Sequence, residues 1–200
     1  EMGAWMADKP WWSAKESHAV ATIAEPLRRL EAYADPLQKK TYLLLGTLVR
    51  AGLLHLADPG SMELPVDYHV MRVLLRTGSV VVPHDLAEKL ATKTPCTDYE
   101  EEAVRRACIA AGRWLVEHGT DLFDLDALLW SVGRNCCRED AAPLCGGTGT
   151  CPKKAGDRCS LIQGFAYECP DACPLAEGCS TARGKANSLL HAPVFETHFY

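Results

Sequence analysis

Apolar residues recur at helical spacing through most of the chain. Leu37, Leu44, Leu45, Leu48 and Val49 repeat in this way along a stretch running towards Leu56. Asp35-Pro36 predicts its start, an N-cap with proline at the first helical position, and Asp58-Pro59-Gly60 predicts its end. A short helix is predicted from Asp67 in the run DYHVMRVLLRT, with Val70, Val73, Leu74 and Thr77 on one face and Gly78 as its stop. Val80–Val82 reads as one short strand that Pro83 cuts off. Residues 84–92 read as a modest helix. Asp98 and Glu101 form an N-terminal box for a long helix to about His118, stopped by Gly119. Asp124 caps a further helix through Trp130, ended by Gly133. No internal repeat and no run of strands breaks the pattern. An all-α domain over residues 17–133 is expected, preceded by an irregular segment, 1–16, that carries Trp5, Trp11 and Trp12.

Composition narrows the class. The chain has 200 residues, 48% hydrophobic and 24% charged, which suits one globular domain with a small appendage and excludes disorder. A formal net charge of −5 gives no excess positive field to draw nucleic-acid phosphates. No apolar run reaches the ~18 residues of a membrane span. The first residues lack the basic flank and cleavage site of a signal peptide, so a cytoplasmic protein without a membrane partner is expected. Because the chain starts with Glu1, the natural start is expected upstream.

Ten cysteines are the anomaly. Eight lie between Cys136 and Cys179, and the first 95 residues have none. A dense tail of thiols on a cysteine-free body reads as a metal or cluster module in a reducing compartment. Residues 134–182 are therefore expected to form a cysteine-rich module, and 183–200 a tail packing back on the helical domain.

Asp67 is the candidate catalytic group. A carboxylate at a helix N-cap accepts backbone N–H bonds and feels the positive end of the dipole. It can serve as a cap alone, or face a pocket and stabilise a sugar cation while a glycosidic bond breaks. Tyr68 and Trp130 are candidate stacking platforms. His69 and Arg72 are candidate substrate contacts, although Arg72 and Arg76, four apart, could equally form a solvated face.

The run VDYHVMRVLLRTG resembles a segment of the helix–hairpin–helix DNA glycosylases, such as endonuclease III and the adenine glycosylases. There V-D-x-H-x-x-R-x-x-x-R carries the catalytic aspartate, which corresponds to Asp67. PLQKK at 36–40, DYHVMRVLLRTG at 67–78, the helix with Glu102, Arg106 and Ala107, DLDALLW at 124–130 and the ending HAPVFETHFY resemble, in order, the queuosine-salvage N-glycosylases. The chain departs from both. Residues 46–66 contain no Gly-x-Gly hairpin for a DNA phosphate, and no lysine stands where bifunctional members form a Schiff base, so a lyase step is not expected. His69 replaces an arginine usual in the salvage family.

The cysteine tail resembles the iron–sulfur loop of endonuclease III-type glycosylases. Gly133-Arg134 followed by Cys137 fits its opening, and Cys173-Pro-Leu-Ala-Glu-Gly-Cys179 fits its close. The resemblance implies a [4Fe–4S] cluster on Cys137, Cys169, Cys173 and Cys179, with Cys145 as the alternative second ligand. Cys136, Cys145, Cys151 and Cys159 remain for a zinc ion, or as free thiols. With seven basic and six acidic residues from 133 to 185, the tail is nearly neutral.

The resemblances imply a monofunctional N-glycosylase that hydrolyses the base–sugar bond of a modified, queuosine-like purine nucleoside or nucleotide. Two alternatives stand beside it. One is a base-excision DNA glycosylase; the other is a non-enzymatic metal-binding interaction protein in which Asp67 is only a cap.

Overall fold

A computed structural model describes residues 16–146, 151, 172–184 and 189–197. The chain divides into two compact units at Pro65/Val66. The described residues are mainly helical, and no helix among them is long and apolar enough to cross a membrane.

In the first unit, two-residue strands β1 (Ser17–His18) and β2 (His55–Leu56) pair in parallel, Ser17 opposite His55 and His18 opposite Leu56. Helix α1 spans Val20–Leu27, and its first amide donates to Oδ1 of Asp58 at 2.7 Å, a cap supplied from far along the chain. It buries Val20, Ile23, Ala24 and Leu27. Helix α2 spans Lys39–Arg50, starting and ending inside the predicted limits. Asp35 is buried, and its two oxygens accept from the amides of Leu37 (3.1 Å) and Lys39 (2.9 Å). Gln38 takes a left-handed φ of 56°, so α2 begins only after it. The helix stops at Arg50 because Gly52, at φ 68°, turns the chain towards β2 well before Asp58.

The second unit is built around helix α3, Tyr68–Thr77, capped by Asp67 and closed by Gly78 at φ 82°. Its buried residues are Val70, Met71, Arg72, Val73, Leu74, Leu75 and Arg76, far more than one face. A helix buried nearly all round is a core helix, not an amphipathic surface one. Helix α4 spans His84–Thr92. Val80–Val82 form no strand: the Val80 amide donates to the Leu74 carbonyl at 3.1 Å, and Val81 is 85% exposed.

Helix α5 spans Asp98–Glu117, with its capping box one residue earlier than the sequence predicts. Thr97 Oγ1 accepts from the Glu100 amide, and Glu100 accepts from the Thr97 amide. Helix α6 spans Leu122–Asn135, capped by Asp121 through the amides of Phe123 and Asp124. It outruns the predicted end at both sides, since Asp121 outcompetes Asp124 as cap and Gly133 lies within the last turn. Helix α3 packs mainly against α6 and secondarily against α5. The final described segment lies against this unit, with Cys96 donating its amide to the Val194 carbonyl (2.9 Å) and His191 to that of Leu90 (3.3 Å).

Candidate functional site

Asp67 stands at the N-terminus of α3 and is 5% exposed. Its Oδ1 accepts from the amides of His69 (2.9 Å) and Val70 (3.1 Å). Both amides belong to the unsatisfied first turn of the helix, so the carboxylate is fixed by bonds that the fold itself requires. Its Oδ2 has no hydrogen-bond partner among the described residues. The carboxylate is therefore held through one oxygen by the first turn of α3.

Side chains around it come from α3 and α6. Tyr68 is 45% exposed, and its ring centroid lies 4.2 Å from that of His69. The His69 ring meets Trp130 edge-on at 6.0 Å, and the Arg134 guanidinium rests over Trp130 at 5.0 Å. Tyr68, His69 and Trp130 are thus linked ring to ring, beginning at the two residues that follow Asp67. Burial lowers the His69 pKa; Asp67 opposes this, while Arg72 and Arg134 press it further down.

Arg72, the other candidate substrate contact on this helix, is buried. It is 1% exposed, and Nε donates to the Cys137 carbonyl at 2.7 Å. Nη2 donates to the Gly133 carbonyl at 2.8 Å, and Nη1 reaches the Tyr68 carbonyl and Glu139 at 3.4 and 3.5 Å. Its donors are spent on its own helix, on the last turn of α6 and on the segment that follows it. Arg76 is equally buried, donating to the Leu190 carbonyl (2.6 Å), the Arg138 carbonyl (2.9 Å) and Sγ of Cys137 (3.4 Å). The solvated arginine face is thus a correction: both side chains point inward because carbonyls of distant segments receive them.

Five of the described thiols gather at the other end of α3. Cys136, Cys137, Cys145, Cys173 and Cys179 line one narrow cavity with Val73, Arg76 and Val132. Cys179 Sγ donates to the Arg76 carbonyl at 3.2 Å. Burial pushes the Cys173 thiol up to about 11, and the neighbouring Cys137, Cys145 and Cys179 add to the rise. Burial likewise raises Cys145, with Cys179 and Cys137 contributing. Cys169 and Cys159 lie outside the described residues. The structure thus places Cys136 and Cys145 on the same cavity wall as Cys137, Cys173 and Cys179. The donor set suits a soft metal or cluster in kind and number. As placed, no group of three His, Cys, Asp or Glu side chains among the described residues converges closely enough to hold an ion.

Glu139 and His191 are the contacts that sequence reading missed. Glu139 accepts from Lys93 Nζ at 2.8 Å and pairs with His191 Nδ1 at 2.7 Å, joining the end of α4 to the final segment. Burial would raise its pKa, but Lys93, His191 and Arg72 outweigh that and hold it low. Nothing in the local sequence marks Glu139, because its partners lie tens of residues away. A larger cavity of about 940 Å³ lies between α4 and the Gly78–Val82 segment. Neither cavity is lined by Asp67. The chain matches no protein-family model, no curated protein and no solved structure.

Proposed function

We propose that the protein is a monofunctional N-glycosylase acting on a purine-type nucleoside or nucleotide, with Asp67 as its catalytic carboxylate. The observation that carries this reading is the Asp67 side chain: Oδ1 is locked by two helix amides, Oδ2 has no partner among the described residues, and the linked rings of Tyr68, His69 and Trp130 begin at the two residues that follow it. In the reaction, the C1′–N bond breaks and its electron pair leaves with the base. Positive charge develops on the sugar, where the carboxylate stabilises it and directs a water molecule to C1′. The water oxygen bonds to C1′ and keeps one proton as the new C1′ hydroxyl, while its other proton ends on the released base, giving free base and a sugar or sugar phosphate. Tyr68, exposed next to Asp67, and Trp130 supply faces for stacking the base.

The thiols are proposed to hold a structural iron–sulfur cluster. Cys137, Cys145, Cys173 and Cys179 are the described residues that would ligate it, with Cys145 as the alternative second ligand to Cys169, which lies outside the described residues. When bound, the cluster would tie the 172–184 segment, through Cys173 and Cys179, to the segment that follows α6, through Cys137 and Cys145. No step of the hydrolysis passes through it. The non-enzymatic reading draws on one observation, that neither cavity is lined by Asp67.

Asp67→Asn tests the proposal. Asparagine caps nearly as well as aspartate, so stability should change by at most about 1 kcal/mol. Binding of nucleosides or 5′-monophosphates with deazaguanine-type bases should survive while turnover falls by several orders of magnitude. Undiminished turnover in this variant would return Asp67 to the role of a cap.

A further inference from the structure

We infer that Arg72 fixes His69 in its Nε2–H tautomer, and that this neutral ring donates Nε2–H to an acceptor atom on the base of the substrate. The tautomer rests on hydrogen-bond counting alone; the choice of a nucleobase as the acceptor rests on the glycosylase reading of Asp67.

A guanidinium carries five N–H donors and no acceptor. Nη2 of Arg72 lies 2.9 Å from Nδ1 of His69, so Nδ1 must present its lone pair. The second Nη2 hydrogen goes to the Gly133 carbonyl, Nε–H to the Cys137 carbonyl, and Nη1 faces the Tyr68 carbonyl and Glu139. Five donors meet five acceptors. Arg72 is buried among them and cannot turn away without leaving buried carbonyls unpaired.

With Nδ1 accepting, a neutral imidazole carries its hydrogen on Nε2. Charged and polar groups face the ring from both elements that pack on it: Asp67 and Arg72 from α3, the Gly133 carbonyl and Arg134 from α6. Burial, the largest influence, and the two arginines act against protonation; Asp67 and a hydrogen bond from the ring to the Gly133 carbonyl act for it, and the net shift is downward. Nε2 has no hydrogen-bond partner among the described residues. His69 is half-buried and lies two positions from the catalytic candidate. As a base leaves, negative charge builds on its ring atoms. A fixed neutral donor stabilises that charge more than it stabilises the bound substrate. The hydrogen stays on Nε2 throughout; no proton transfer is involved. Arg72 is thus a positioning residue that acts through His69.

A two-bond proton–nitrogen NMR correlation on the full chain near pH 7 reads the tautomer without any substrate. It should show Nδ1 bare and Nε2 protonated; an Nδ1–H or imidazolium pattern would overturn the inference. Titrating in a deazaguanine-type nucleoside should shift the His69 Nε2 signal, and an unmoved signal under saturating binding would also overturn it. His69→Gln places an amide donor near the Nε2 position, whereas His69→Asn places one near Nδ1. The Gln variant should exceed the Asn variant in kcat/KM by about tenfold or more, and equal values would sink the donor role. Should Asp67→Asn keep full turnover, the glycosylase reading fails while the NMR result stands on its own.

Discussion

Gly133 and His69 meet across the packing of α3 on α6 so closely that a Cβ on Gly133 would lie 2.8 Å from the His69 Cβ and from its carbonyl oxygen. The obstruction is helix backbone, which cannot step aside as a flexible side chain would. Glycine at this helical position therefore serves close approach. Ordinary helix propensity favours Ala over Gly by about 1 kcal/mol. Overpacking costs about 1–3 kcal/mol and runs the other way. Gly133→Ala should destabilise the protein in urea unfolding; stabilisation would show that α6 can shift without cost.

Glu100 gives the second unit an acid-sensitive contact. Its Oε1 accepts from Lys89 Nζ at 2.6 Å and its Oε2 from the Thr97 amide at 2.8 Å, linking α4 to the start of α5. The Lys89 bond, then the Thr97 bonds, hold its carboxyl at about 2. In the unfolded chain a glutamate titrates at about 4.3. Between these values the unfolded state binds a proton that the folded state refuses, so stability is full above about 5 and falls as pH drops towards about 2. Glu100→Gln should flatten this part of a plot of Tm against pH. An unchanged acid slope would assign it to other carboxylates.

The thiol cavity predicts a ligand pattern. Protein purified without oxygen should contain iron and sulfide, and Ser at Cys137, Cys145, Cys173 or Cys179 should each lower both. Cys96, which lines no part of that cavity, should tolerate Ser with metal content unchanged. Zinc alone in the anaerobic protein would exclude an iron–sulfur cluster. Full metal content in Cys145→Ser would exclude Cys145 as a ligand.

Helix α3 was legible in the sequence because its signals are local: an Asp cap, a Gly stop and the apolar run between them lie within twelve positions. The starts of α5 and α6 were displaced by one and three residues for a chemical reason. Thr97 and Asp98, like Asp121 and Asp124, are neighbouring side chains that can each accept the same class of amide, and only backbone geometry selects between them. Arg72 and Arg76 were unreadable. Their polar character suggests solvent, whereas their acceptors are carbonyls contributed by residues 133–138 and 190. Gly133 looked like a helix stop for a similar reason, since close approach to His69 leaves no mark on its neighbours in sequence. The cap role of Asp67 was legible because an N-cap carboxylate stands directly before its own helix in the sequence.

Helix α3 also lacks the loose ends from which helices usually unravel. At one end Asp67 ties down the first amides. At the other, the Arg76 carbonyl accepts from Cys179 Sγ, from the Thr181 amide and from Thr181 Oγ1, while the Ser180 amide donates to the Thr77 carbonyl. End-fraying normally gives helix amides a low-energy route to hydrogen exchange. Here that route is closed at both termini, so the amides beside Asp67 exchange through opening of the unit as a whole.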